Sequence, residues 1–113
     1  MQLLAETRGE ILIVRAEEDR IDAAVAIQFK DRMRDLTRTD APRVVLDLSQ
    51  VSFLDSSGLG AVVAVRKLLG PDRTLELSGL RPAVEKVFRL TRMDTIFVIH
   101  PALPGEDGLR DAG

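Results

Sequence analysis

Asp55, Ser56 and Ser57 set one carboxylate and two hydroxyls side by side in the stretch "FLDSSGLG", which runs from Phe53 to Gly60. Apolar runs flank it, "VVLDLSQVSFL" before and "LGAVVAV" after. A structural role and three kinds of chemistry compete for such a junction. The structural role is helix capping. Asp and Ser oxygens accept hydrogen bonds from the orphan amides of a first turn, and small Gly58 and Gly60 let a helix lie close to a sheet. Capping accounts for one polar residue here and poorly for three in succession, because Ser57 adds little to a cap made by Asp55 or Ser56.

A serine nucleophile is the first chemical reading. The elbow pattern needs Gly-x-Ser-x-Gly, yet Leu54 stands where Ser56 needs a glycine. The one histidine, His100, is the only candidate base and lies far along the chain beside Pro101. A phosphate-cradling nucleotide loop is the second. It needs a lysine directly after its last glycine, and the nearest is Lys67, about two helical turns on. The third is a serine that accepts a phosphoryl group. A phosphate at a helix N-terminus meets free amides and the positive end of the helix dipole. Such a modification spares the fold and acts on a partner, by adding about 1.5 to 2 negative charges to a surface that is otherwise covered.

Composition narrows the setting. The 113 residues fit one domain, and 45 % apolar residues supply its core. There is no cysteine and a single histidine, so a zinc site of soft ligands is excluded and no metal or other cofactor is expected. The net charge of -2 carries no basic excess for nucleic acid. Trp and Tyr are absent, which leaves Phe29, Phe53, Phe88 and Phe97 and removes the usual stacking platforms for single strands. The N-terminus lacks a secretory pattern, and no apolar run approaches the ~20 residues that cross a bilayer. The expectation is a soluble cytoplasmic domain.

The elements that position the junction follow from periodicity. "LLAETRGEILIVRA" predicts a hairpin turning at Gly9. Asp22 reads as the N-cap of a helix whose Ala23, Ala26, Phe29, Met33 and Leu36 share one face. Val44 to Leu48 reads as a buried strand, and Leu59 to Leu69 as a helix packed deep against the sheet, stopped by Gly70 and Pro71. Thr74 to Gly79 alternates like a strand. Pro82 opens a third helix, with Val84, Val87, Phe88 and Thr91 on one face. Thr95 to Ile99 reads as the last strand. The order β-β-α-β-α-β-α-β predicts an α/β fold with a mixed, mostly parallel sheet of four to five strands, an antiparallel edge hairpin and three or four helices. Asp55 to Gly58 then fall at the C-terminal end of a central strand, where open α/β sheets meet their ligands and partners. Residues 1–100 form the domain, and 101–113, rich in Pro, Gly and charge, form a flexible tail.

"VVLDLSQVSFLDSSGLGAVVAVRKLL" resembles the STAS domain of stand-alone bacterial anti-sigma factor antagonists, in which an apolar strand leads into Asp-Ser-Ser-Gly-Leu-Gly. "RIDAAVAIQFKDRM" is similar to that family's first helix, and "GLRPAVEKVFRLTRMDTIFVI" to its last helix and strand. The resemblance runs from Leu3 to Ile99. It implies that Ser56 is the phosphoacceptor, that Ser57 shapes the turn, and that Asp55 holds the loop. It also implies that Asp22, Asp55, Ser57, Gly58 and Leu59 belong to the partner surface. Asp22 matches the family's acidic residue near the phosphosite, and reads equally well as an ordinary N-cap. One position departs from the pattern: Asp19 stands where the family often has glycine, which bears on partner choice. The implied mechanism is partner switching. The unphosphorylated chain binds an ATP-binding serine-kinase anti-sigma factor, phosphorylation of Ser56 ends the complex, and a PP2C-type phosphatase restores it. In this scheme the chain is a substrate and not an enzyme, with no nucleic acid or membrane as partner. A STAS protein that serves as a non-switching scaffold, in a stressosome-like or lipid-transport complex, is the alternative.

Overall fold

The computed structural model describes residues 1–103. Strands β1 (Leu3–Arg8) and β2 (Ile11–Ala16) form the expected antiparallel hairpin. β2 leads to a two-residue strand β3 (Arg20–Ile21), helix α1 (Ala26–Leu36), β4 (Arg43–Asp47) and a second two-residue strand β5 (Phe53–Leu54). Helix α2 (Ser56–Leu69), β6 (Thr74–Ser78), α3 (Pro82–Leu90), a 3-10 turn (Met93–Thr95) and β7 (Ile99–His100) follow. The main sheet has the order β1-β2-β4-β6-β7 and is parallel from β2 onward. β3 and β5 pair separately as a parallel ribbon, with Arg20 opposite Phe53 and Ile21 opposite Leu54. This is the mixed, mostly parallel α/β architecture that the alternation of elements predicts.

Side chains alternate across the strands, and the two faces of the sheet differ. Leu12, Val14, Val44, Leu46, Leu75 and Leu77 point into the main core, together with Phe29 and Met33 of α1, Val62 and Val65 of α2 and Phe88 of α3. The opposite face carries a small cluster in which Leu103 packs on Ile13 and Val45. That face is otherwise polar, and its buried carboxylates are paired. Arg15 Nε donates to Asp47 at 3.0 Å. Arg43 donates to both oxygens of Glu76 at 2.8 Å. His100 Nε2 donates to Glu76 Oε1 at 2.7 Å, since an ionised carboxylate only accepts.

Several local expectations shift. α1 begins at Ala26 with Val25 at its cap position and no side-chain cap, not at Asp22. Asp22 instead closes the turn ahead of the helix, its Oδ1 accepting from Ala24 N at 3.1 Å and its carbonyl from Val25 N. α2 begins three residues before Leu59, at Ser56, because Asp55 caps it. Thr91 ends α3 as its cap residue rather than lying on its apolar face. Its hydroxyl donates back to the Val87 carbonyl at 2.6 Å. The last strand spans Ile99–His100, not Thr95 to Ile99. Arg92 turns the chain through the left-handed region (φ 62°) into the 3-10 turn. Phe97 is then drawn onto Phe88, edge to face at 5.9 Å, a contact worth about 0.5–1.5 kcal/mol beyond burial. The junction also follows the separate ribbon strand β5, not a central strand of the main sheet. Of the tail expected over 101–113, residues 104–113 lie outside the described residues. Within 101–103, Leu103 is only 4 % exposed.

The ribbon fixes where α2 starts. A Cβ built on Gly58 falls 2.0 Å from the Ile21 carbonyl oxygen, whereas one on Gly60 meets nothing within 4 Å. Only the first of the two glycines is needed for close approach; Gly60 lies on the exposed side of the helix. Gly58→Ala should therefore cost about 1–3 kcal/mol by overpacking. Gly60→Ala should be neutral or stabilise by up to about 1 kcal/mol through helix propensity. Urea unfolding of the two variants checks the pair.

On the far face, the Arg43 hydrogen bonds hold the Glu76 carboxyl down at about 2, with His100 and Thr74 adding to the effect against the opposing influence of burial. A depressed carboxylate stabilises the fold above its unfolded value, and this stabilisation disappears as pH falls through the folded one. The stability advantage of the wild type over Glu76→Gln should shrink by about 2–3 kcal/mol between pH 5 and 2. Denaturant titrations at stepped pH measure it.

Candidate functional site

The N-terminus of α2 is built from two segments that are distant in sequence. Asp55 is its N-cap in extended conformation, and its Oδ1 accepts from Gly58 N at 2.9 Å. Its other oxygen, Oδ2, accepts from Ala23 N at 3.3 Å, across from the turn after β3. The backbone adds a third link, with Asp55 N donating to the Ile21 carbonyl at 3.4 Å. The register that pairs Ile21 with Leu54 brings Asp22 to the level of Asp55. Asp22 and Asp55 thus stand together beside the start of α2.

Ser56 and Ser57 occupy the first two helical positions and are exposed. None of the hydrogen bonds among the described residues uses either hydroxyl. The cap engages the Gly58 amide, and Leu59 N donates to the Asp55 carbonyl. The amides of Ser56 and Ser57 are thereby left facing outward at the positive end of a 14-residue helix. Such a terminus favours an anion covalently attached to Ser56. The cap itself does not depend on either serine. Gly58 is buried against Ile21, and Leu59, expected among the partner-contacting residues, has its side chain in the core at 9 % exposure. The accessible part of the motif is therefore Ser56, Ser57 and Gly60.

The rim holds residues that the motif alone does not reveal. Arg20 stacks over the Phe53 ring, its guanidinium carbon 4.2 Å from the ring centre, while its Nε donates to Asp22 Oδ2 at 3.3 Å. Phe53 is 39 % exposed. Asp19 accepts from Ser52 and Phe53 amides through its carbonyl, and its carboxylate takes the Ser52 hydroxyl. The side chain found where the family often has glycine is thus tied back to the loop before β5. The signal for these contacts was a lone apolar Ile21 within a polar run, too short to read as a strand. His100 is engaged by Glu76 on the opposite face of the sheet and is not brought to Ser56. Among the described residues, no three His, Asp or Glu side chains gather into a metal-holding group, and no helix is long and apolar enough to cross a membrane.

Known proteins share this fold. The STAS domain family model matches residues 2–105. An anti-sigma factor antagonist from Mycobacterium paratuberculosis is similar at 27 % identity, with 97 % of this chain and 92 % of that one covered and a TM-score of 0.82. An anti-sigma-factor antagonist (STAS) domain protein from Planctomyces limnophilus gives 18 % identity, 98 % coverage of both chains and a TM-score of 0.83. The Bacillus cell fate determinant SpoIIAA, in its phosphorylated form, gives 17 % identity, covers 99 % of this chain and 100 % of its own, and has a TM-score of 0.66. These TM-scores show a shared fold, and the family model matches nearly the whole chain: the chain belongs to the STAS domain family.

Proposed function

We propose that the chain is an anti-sigma factor antagonist that works by partner switching, with Ser56 as its phosphoacceptor. One observation carries the proposal. Ser56 is exposed at the first position of α2 with outward-facing amides beside it, while Asp55 alone supplies the cap. A phosphoryl group on its oxygen has donors to meet and no structural bond to break. Support also comes from relatives: two proteins of this fold are described as anti-sigma factor antagonists, and a third, SpoIIAA, takes a phosphorylated form.

The unphosphorylated surface suits a protein partner. Phe53 and its stacked Arg20 offer an apolar and cationic platform at the rim. Exposed Gly60 lies one turn after Ser56 on the same side of α2, so a partner backbone can approach the hydroxyl closely. Asp22 and Asp55 give the rim its negative charge. The partner is an ATP-binding serine kinase of the anti-sigma type. It transfers the γ-phosphoryl of its ATP to Ser56 Oγ, which gives up its proton, and ADP leaves. Added charge beside Asp55 and Asp22 then expels the kinase surface, and a PP2C-type phosphatase resets the chain by hydrolysis. The chain acts as a binding protein in the cytoplasm; nucleotide and metal belong to the partners. Ser57, one position on, shapes the exposed turn. The proposed domain covers residues 1–100 together with Leu103, which packs on Ile13 and Val45.

Replacing the hydroxyl separates switch from cap. Ser56→Asp should bind the kinase more weakly by roughly 30-fold or more. It should still melt within about 3 °C of wild type, as expected for a surface change that breaks no cap. Ser56→Ala should keep the kinase bound and take no phosphoryl group. Titration calorimetry and thermal melts read both; an Asp variant that unfolds would make the serine structural.

A further inference from the structure

We propose that a groove at the open edge of β6, at the far end of α2 from Ser56, docks an extended acidic segment of a partner protein. The edge is open because β7 is short. In a parallel ladder successive residues serve opposite neighbours. Thr74 N donates to the Pro42 carbonyl on the β4 side, whereas Leu77 N donates to Val98 and Gly79 N to His100 on the β7 side. Leu75 therefore turns its N–H and carbonyl toward β7, but the pairing there begins only at Leu77 and Ile99. The preceding chain is curled into the 3-10 turn instead of continuing the strand. An unpaired strand edge is a template for another extended segment.

The walls state the chemistry of that segment. The groove holds about 540 Å³ and is lined by Arg66, Lys67, Arg73 and Leu75 with Ile96 and Val98. Ile96 and Val98 are 38 % and 58 % exposed, an apolar ledge beside the open backbone. Arg66 and Lys67 are exposed in the last turn of α2, and no ion pair among the described residues engages them or Arg73. Arg73 donates from Nε to the Ala41 carbonyl and from Nη1 to the Thr37 carbonyl, both at 2.9 Å. Its Nη2 is buried with no acceptor. Glu76 also borders the groove, but its carboxylate is taken by Arg43, His100 and Thr74. The local excess is three cations beside an open backbone edge, which an alternating acidic and apolar strand complements in charge and in period. The 14 residues of α2 separate this groove from Ser56 by about 20 Å, so both surfaces can be occupied at once.

The probe is a fluorescein-labelled nonapeptide of alternating Glu and Val, with an alternating Lys and Val peptide beside it. Anisotropy titration of the full chain should show binding of the acidic peptide alone, and amide NMR should shift Leu75 and the 96–98 segment. Charge reversal at Arg66 and Lys67 together should weaken binding roughly tenfold or more, as should Val98→Glu, which sets a carboxylate on the ledge. Raising salt to about 0.5 M should weaken it too. Ser56→Ala should bind like wild type, which keeps this test separate from the switch. The proposal is overturned if the Leu75 amide does not move, if the shifts centre on Ser56, if both peptides bind alike, or if the folded charge-reversed chain binds as wild type does.

Discussion

Both oxygens of the Asp55 carboxylate are occupied, one by the first turn of its own helix and the other by the turn after β3. This bridge, with Gly58 pressed against the Ile21 carbonyl, sets where α2 begins and which of its residues face outward. Any side chain at position 58 would push the helix off the ribbon. A weaker cap would leave the Gly58 amide without an acceptor. Because Asp55 meets the structural demand alone, the serine beside it is released from the fold. That division of labour answers why a carboxylate and two hydroxyls interrupt the apolar runs.

Much of this was legible in the sequence, and the reason is locality. The hairpin around Gly9, the β4 run and the helix opened by Pro82 each carry their signal within a few residues, so periodicity and turn chemistry suffice. The cap was legible too, since Asp55 stands three residues before the amide it holds. What escaped depends on contacts that no short window contains. β3 and β5 have two residues each, too few for a period, and exist because they pair with one another across the chain. That pairing moved the start of α1 past Asp22 and separated the roles of Gly58 and Gly60. Leu59 reads as part of the motif but packs inward, because helix geometry and not sequence adjacency decides which residues reach a partner. Thr95 to Ile99 looks like a strand by composition, yet Phe88 draws Phe97 into the core.

The molecule consequently presents two chemically distinct ends. At the start of α2, amides and an exposed hydroxyl meet a rim of carboxylates and one stacked arginine. At its end, cations gather beside an unpaired stretch of β6. Between them the sheet is covered by helices on one face and carries paired charges on the other, where Glu76 binds Arg43, His100 and Thr74. The helix that connects the ends is anchored by Val62 and Val65, which are almost wholly buried. A change in charge at one end therefore has a rigid support and need not disturb the packing.

The most direct test of the central claim is intact-mass spectrometry of the protein purified from the cells that make it, with the modified residue located by fragmentation. The account predicts a fraction of molecules heavier by one phosphoryl group, carried on Ser56 and on no other hydroxyl. A phosphoryl group found on Ser57 instead, or none under any growth condition, would contradict it.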